Sequence, residues 1–299
     1  MTTIDLHIHT TKSDGSLTPF EIIDESERNG VKFLAITDHD TIGAYNEELF
    51  EYAKNKGITL ITGVEVSTKF NGKKFHVLGY NFDYKNEEFR GFLKEIRSVR
   101  EQYLIEVWQK LKEIGYILNI DKLKQVESVT KANVALDIIE NKENEAKLIE
   151  QFGSIPNRGL FIESVLNSGC PAYVKKEAVL PSVAAKAIKQ AGGKVVLAHP
   201  VVYSRKDNVP VEMVEEVISS MDIDGLEVNY IYYDKFYQRF DDIAKWMEFA
   251  KKHNLFETIG SDFHMHDGEK VKIGFINQNF EIGEVKTQQI LKDLGVEKD

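Results

Sequence analysis

The chain has 299 residues, 42% of them hydrophobic and only 6 prolines, enough to bury a large core as one big domain or as one domain with a smaller companion. A formal net charge of −10 and a pI near 5.4 exclude loose wrapping of nucleic acid, which requires a surplus of Lys and Arg facing phosphates. The single cysteine, Cys170, forms no internal disulfide. The start "MTTIDLHIHT" lacks the basic region and apolar run of a signal peptide, and no apolar run reaches the roughly 18 residues of a membrane span, so a soluble, cytoplasmic protein is expected.

Short runs rich in Ile, Val and Phe recur along the chain, each followed by polar residues and then by a stretch with helical spacing. In order, the expected strands are "TIDLHIH", "FLAITDH", "TLITGVEVS", "FHVLGYNF", "KVVLAHP", "GLEVNY" and "FETIGSD". "TPFEIIDESERNG" reads as a helix capped by Thr18, with Pro19 in its first turn and Gly30 at its end. "PSVAAKAIKQAGG" repeats the design from Pro181 to Gly192. The C-terminal "EVKTQQILKDLGVEKD" reads as a last helix with a frayed acidic end. Repeated strand and helix units build either a doubly wound sheet or a barrel, and in both the chemistry lies beyond the C-terminal ends of the strands.

Those ends carry His7 and His9, Asp38 and His39, Glu65, His199, Glu227, and Asp262 with His264. His76 starts its strand, so that strand is expected to run against its neighbours. Of the eight histidines only His253 and His266 lie outside this set. In a strand, residues i and i+2 point to one side, so the imidazoles of "HIH" can reach one ion together. Imidazole with carboxylate suits Zn, Mn or Fe. Six histidines with Asp14, Asp38, Glu65 and Asp262 exceed the roughly four to six ligands of a single ion. Two or three divalent ions are therefore expected, with a carboxylate such as Glu65 bridging. Such a centre makes hydroxide near neutral pH and steadies the oxygens entering and leaving phosphorus, so metal-assisted hydrolysis of a phosphate ester is the expected reaction class. Thr37 and Asp40 are read as supports. For Glu227, direct ligation and a hydrogen bond to a ligand stand as equal alternatives.

The ordered motifs "HIHTTKSDGS", "ITDHDT", "GVEVS", "HVLGY", "LAHP", "GLEV" and "GSDFH" resemble those of the PHP (polymerase and histidinol phosphatase) superfamily. Within it they resemble the small bacterial phosphoesterases that act on 3',5'-nucleotide bisphosphates and trim RNA from its 5' end. The resemblance implies an α/β fold, a distorted seven-stranded (β/α)7 barrel with a trinuclear site. It implies that His7, His9, Glu65 and Asp262 hold one ion, that Glu65 bridges to a second ion on His76 and His199, and that Asp14, His39 and His264 hold a third. Glu65, Asp262 and His199 are the residues it assigns to catalysis, with a metal-bridging hydroxide attacking a small phosphomonoester.

Between "FHVLGYNFDY" and "KVVLAHP" lie more than a hundred residues, far beyond an ordinary connection of roughly two to six. The expected division is barrel 1–91, a helical insert 92–170 and barrel 171–299. In the insert, Phe92, Ile96, Val99, Tyr103 and Val107 mark an amphipathic helix; "KANVALDIIENK" and "LFIESVLNSG" read as further helices. The insert is expected to cover the barrel mouth and supply substrate contacts, as the resemblance also implies; a plain stabilising cap or dimer surface is the alternative. Relatives of this type carry an Arg and, two positions on, a His near a helix start. Lys131 and Asn133 occupy those places here. Lys keeps the charge without the bidentate fork of Arg, and Asn is neutral, so the substrate could depart from a nucleotide bisphosphate. Arg158, and Lys73 or Lys74, are candidates for replacement charge. "YIYYDKFYQRF", from Tyr230 to Phe240, is either an aromatic wall that stacks a base or a helix packing on the barrel. The expected partner is a small phosphorylated substrate, with no membrane and no duplex DNA. An exonuclease on short RNA 5' ends and a non-catalytic metal-binding module are the rival readings.

Overall fold

The computed structural model describes residues 3–234, 238–266, 271–275 and 282–296. The chain opens with β1 (Ile4–Asp5), α1 (Pro19–Arg28), β2 (Phe33–Ile36), α2 (Glu47–Asn55), β3 (Thr59–Phe70) and β4 (Lys73–Tyr80). Five helices follow: α3 (Glu87–Glu113), α4 (Ile120–Leu123), α5 (Lys131–Glu140), α6 (Glu145–Phe152) and α7 (Arg158–Phe161), which runs into a π-helical segment at Ile162–Leu166. The remainder is α8 (Pro181–Gln190), β5 (Lys194–Leu197), α9 (Pro200–Arg205), α10 (Val211–Ser219), β6 (Gly225–Asn229), β7 (Tyr232–Tyr233), β8 (Arg239–Phe240), α11 (Ile243–Lys252), β9 (Phe256–Ile259) and α12 (Glu284–Asp293).

Seven strands form one mixed sheet in the order β1-β2-β3-β4-β5-β6-β9. β4 is antiparallel to both β3 and β5, as expected, although it begins at Lys73 and His76 lies within it, and the other pairs are parallel. The sheet curls until its first and last strands meet. Leu6 N donates to Ile259 O at 3.1 Å, His9 N to Phe263 O at 2.9 Å, and Ile8 bridges Phe263 in parallel. The fold is thus α/β with a nearly closed, seven-stranded, barrel-like sheet.

Alternation sorts each strand between two layers. Ile4, Leu6, Ala35, Ile61, Leu78, Tyr80, Val196, Ala198 and Ile259, from six strands or their ends, form one buried cluster that takes in Ile290, Leu291 and Leu294 of α12. On β3 and β4 the same parity continues to Glu65 and His76, so the strand faces that carry this inner core also carry those two side chains. The opposite faces of β5 and β6, through Leu197, Leu226 and Val228, pack with Val214, Val217, Trp246 and Phe249 of α10 and α11. α1 starts as its sequence dictates: Thr18 and Glu21 form a reciprocal capping box, with Pro19 in the first turn.

Except in β3, which runs on to Phe70 so that Glu65 lies within the strand and not at its end, regular strand ends earlier than the hydrophobic runs imply. "TIDLHIH" is strand only at Ile4–Asp5, because from Leu6 onward the backbone groups are met singly: Ile8 N donates to Thr37 Oγ1 at 3.0 Å and Thr37 N to Ile8 O at 2.8 Å. His7 and His9 therefore flank an isolated bridge rather than lie in a ladder. The described residues between Tyr230 and Phe240 form no helix. β7 and β8 pair antiparallel, Tyr232 with Phe240 and Tyr233 with Arg239, and Tyr232, Tyr233 and Phe240 pack against the outer core. Phe236 and Tyr237 lie outside the described residues.

The chain divides into two compact units, Met1–Leu93 with Ala178–Asp299, and Lys94–Glu177. The second unit runs past the expected end at 170 because Ala172 and Val174 are buried in its own core, with Tyr103, Val107, Leu111, Ile138, Leu148 and Phe161. Lys110 Nζ also donates to Tyr173 O at 2.6 Å.

Where β2 and β3 part, the buried Tyr45 hydroxyl donates to Ile36 O at 2.6 Å and accepts from Gly63 N at 2.7 Å and Ile36 N at 3.1 Å. Tyr45→Phe is expected to leave those two N–H groups unpaired and to lower the unfolding free energy in urea by about 2–6 kcal/mol, at roughly 1–3 kcal/mol per stranded group. A change near zero would show that the strands close without the hydroxyl.

Candidate metal centre

Glu65, 1% exposed, sits among the imidazoles of five histidines. Its Oε2 lies 3.4 Å from His7 Nε2, 3.2 Å from His9 Nε2 and 3.0 Å from His39 Nδ1. Its Oε1 lies 2.7 Å from His76 Nδ1 and 3.1 Å from His199 Nε2. Two further carboxylates complete the cluster. Asp262 Oδ1 is 3.3 Å from His7 Nε2, 3.2 Å from His9 Nε2 and 3.5 Å from His264 Nδ1. Asp14 lies 3.7 Å from His9 Nδ1, 3.8 Å from His39 Nε2 and 3.5 Å from His264 Nε2.

Local structure explains how a short stretch delivers so many side chains. The turn after His9 closes through Ser13 N and Gly15 N, both donating to Thr10 O. The buried Asp38 carboxylate clamps that turn, accepting from Thr10 N at 2.7 Å, Thr10 Oγ1 at 2.6 Å and Ser13 Oγ at 2.6 Å. A Cβ at Gly15 would stand 2.2 Å from His9 O, so the turn that presents Asp14 requires glycine there. Gly260 is required for the same reason, since a Cβ would stand 2.2 Å from His7 Cβ and 2.5 Å from Glu227 Oε1. His199 (φ 23°) and Asp262 (φ 53°) both sit in left-handed backbone, a conformation non-glycine residues rarely adopt and one that clusters at functional sites.

Electrostatics bind the cluster together. Burial pushes the Glu65 carboxyl up, but the neighbouring imidazoles of His76, His39, His7 and His199 outweigh it and hold the group well below the usual range. Asp262 is likewise held low against its burial by His7, His264 and His9. Burial pulls the His9 imidazole down, yet Asp262, Glu65 and Asp14 raise it to about 10. A cluster that attracts positive charge this strongly suits a cation. Nε2 of His7 and His9 and Nδ1 of His39 and His76 are buried and make no hydrogen bond, although stranding such atoms costs about 1–3 kcal/mol each. Lone pairs directed at a shared ion remove that cost, so the donor set fits a metal.

Among the described residues, three sets bring ligand atoms within 4.8 Å of one another: His7, His9, Glu65 and Asp262; His9, Asp14, His39 and His264; and His39, Glu65 and His76. The first unites the four residues that the motifs assign to one ion. The second adds His9 to the expected Asp14, His39 and His264. In the third His39 stands beside His76 where His199 is expected; His199 meets the cluster through its contact with Glu65 Oε1. Glu227 is in none of them. Its Oε1 and Oε2 lie 3.0 and 3.1 Å from His7 Nδ1, and Oε2 accepts from His199 N at 2.8 Å. Its contacts orient the His7 ring and hold the His199 backbone. Thr37 and Asp40 are supports too, Asp40 Oδ1 accepting from Ser67 N at 2.7 Å.

Two tyrosines touch the cluster: Tyr203, which had no sequence signal, and Tyr230, which the sequence marked only as the start of an aromatic stretch. Tyr203 OH accepts from His76 N at 2.9 Å, and Tyr230 OH donates to Asp262 Oδ2 at 3.0 Å. The pairing register of β6 shifts between Glu227 and Asn229, so simple alternation does not place Tyr230. The candidate substrate residues lie in the second unit. Lys131 Nζ donates to Leu166 O at 2.7 Å and Asn167 Oδ1 at 3.0 Å; Asn133 Oδ1 accepts from Thr130 N at 2.7 Å in a capping box; Arg158 begins α7 and is half-buried. In the first unit, Lys73 Nζ donates to Asp207 O at 3.0 Å.

A nearly closed mixed barrel with a buried histidine and carboxylate cluster is consistent with the class of metal-dependent hydrolases. Comparison with known proteins narrows it. The family model described as PHP domain matches residues 5–163. A 5'-3' exoribonuclease of Haemophilus influenzae is 33% identical over 269 residues, 88% of this chain and 90% of that protein. A 3',5'-nucleoside bisphosphate phosphatase of Chromobacterium violaceum is 28% identical over 268 residues, 88% of each chain. A solved structure from Bifidobacterium adolescentis shares the fold, with a TM-score of 0.76, 21% identity, and 98% of this chain and 96% of that one covered. The chain belongs to the PHP domain family and is a phosphoesterase. Among the described residues no helix is long and apolar enough to cross a membrane.

Because Glu227 holds His7 by Nδ1 and leaves Nε2 facing Glu65 and Asp262, Glu227→Gln is expected to lower affinity for divalent metal about 10–100-fold with the fold retained. Chelator competition on the purified protein checks this, and unchanged affinity would remove Glu227 from the centre.

Proposed function

We propose that this phosphoesterase hydrolyses a small, nucleotide-like phosphate ester, with 3',5'-nucleotide bisphosphates as the leading substrate class. We also propose that His7, His9, Asp14, His39, Glu65, His76, His199, Asp262 and His264 hold two or three divalent ions, drawn from Mn, Zn and Fe. The observation that carries the reading is the buried Glu65 carboxylate with five imidazole nitrogens between 2.7 and 3.4 Å of its two oxygens. Ions bound there supply Lewis-acid charge for phosphoryl oxygens and acidify water. The chain's own residues hold that chemistry in place. Glu65, with one oxygen toward His7, His9 and His39 and the other toward His76 and His199, joins the two sides of the cluster. Asp262 Oδ1 faces the same point as Nε2 of His7 and His9. Both carboxylates stay ionised against their burial, so they remain available as ligands.

A second reading, removal of nucleotides from RNA 5' ends, draws support from the exoribonuclease of Haemophilus influenzae. Phosphate release from 3',5'-adenosine bisphosphate, set beside digestion of a 5'-phosphorylated oligonucleotide, separates the two. Turnover of mononucleotides alone overturns the exonuclease reading, and turnover of neither overturns both.

Glu65→Gln is expected to reduce kcat by about 10³-fold or more, by analogy with the loss of a principal charge-stabilising group, while circular dichroism stays native. Wild-type turnover in metal-loaded Glu65→Gln would refute the joining role. For the second unit, Lys131→Met is expected to raise KM for the bisphosphate more than for a monophosphate; equal KM values would reassign Lys131 to holding Leu166 and Asn167.

A further inference from the structure

Asp262 is a cluster member placed without support from a helix or strand of its own. It lies beyond the end of β9, at φ 53°, and its side chain is 17% exposed. A carboxylate so placed can present one oxygen or both to a neighbouring cation. Its Oδ1 faces His7 and His9 at 3.3 and 3.2 Å, while Oδ2 accepts from Tyr230 OH at 3.0 Å. The phenol itself is buried, 8% exposed, with its own N–H donating to Val228 O at 3.0 Å. Its ring also leans on the imidazole of His199, with centroids 5.5 Å apart and planes at 52°. His199 is the other cluster residue on left-handed backbone, at φ 23°. One side chain therefore touches both strained members of the cluster, through its hydroxyl on one and its ring on the other.

We infer that Tyr230 is a positioning residue for the metal centre: its hydroxyl occupies Asp262 Oδ2, so that Asp262 offers a single oxygen, Oδ1, at the point shared by His7 and His9, while its ring braces His199. The inference rests on the reading of this cluster as a metal centre. It separates two jobs within one residue. Tyr230→Phe removes the hydroxyl and keeps the ring, and Tyr230→Ala removes both. The geometry does not make Tyr230 a proton donor to substrate, because its hydrogen is committed to Asp262.

The test is metal affinity, read by chelator competition and by metal content after dialysis, on wild type, Tyr230→Phe, Tyr230→Ala, Asp262→Asn and the Tyr230→Phe/Asp262→Asn double variant. Tyr230→Phe is expected to keep its thermal midpoint and circular dichroism and to weaken metal binding about 10–100-fold, the range for outer partners of metal ligands. Tyr230→Ala is expected to weaken it further. With Asp262 already replaced, adding Tyr230→Phe is expected to change little, because the two act as one unit. In the metal-saturated enzyme kcat is expected to fall and KM to stay near the wild-type value. Wild-type affinity in Tyr230→Phe, or additive losses in the double variant, would overturn the role of Tyr230 while leaving the metal centre standing. A wild-type chain that binds no divalent metal would overturn the centre and the role of Tyr230 together.

Discussion

The structure depends on keeping one carboxylate charged where water barely reaches. Glu65 is buried on the inner face of β3, and an isolated ion there costs several kcal/mol in lost solvation. The compensation comes from five imidazoles on four separate stretches of chain, at His7 and His9, His39, His76 and His199. Residues so far apart in sequence meet only if the sheet curls into a barrel. Closure of β1 against β9 is therefore as much a condition of the site as any ligand, since His7 and His9 lie on one side of that seam and Asp262 and His264 on the other.

Around this charge the chain accepts local strain and removes side-chain volume. His199 and Asp262 take left-handed backbone, and Gly15 and Gly260 occur where a single methyl group would strike His9 or His7. Each feature is unfavourable for an ordinary strand end. Together they bend the chain just past the strands, so that side chains which strict alternation would scatter converge. The supports repeat this logic: Asp38 ties the turn that carries Asp14, Glu227 orients His7 and the His199 backbone, and Tyr203 meets the backbone of His76.

The candidate residues are distributed unequally between the two units. Every residue of the cluster belongs to the barrel unit, whereas Lys131, Asn133 and Arg158 belong to the unit Lys94–Glu177. In that unit Lys131 and Asn133 already have partners: a carbonyl and an amide oxygen for the amine, and a helix cap for the amide. The candidate metal centre therefore lies wholly within the barrel unit.

Much was legible in order alone. Seven apolar runs with polar ends foretold the seven strands and the antiparallel β4, because burial in a sheet imposes period-two alternation that residue types record directly. The histidines and acids at those ends identified the candidate cluster, since few pressures other than a cation gather so many basic lone pairs. What order could not convey was set by contacts between distant residues. The strands stop early because Thr37 answers the backbone of Ile8. The aromatic stretch after Glu227 pairs as a hairpin, and aromatic composition suits that as well as a helix. Glu227 is a support because the tertiary fold turns it toward His7 Nδ1, a choice its sequence neighbours leave open. The sequence by itself determined which chemistry the chain carries and on which strands, because ligand type and alternation are local properties. Only the tertiary structure decided which acid touches which imidazole, because a difference of one ångström in a curled sheet is the sum of many distant contacts.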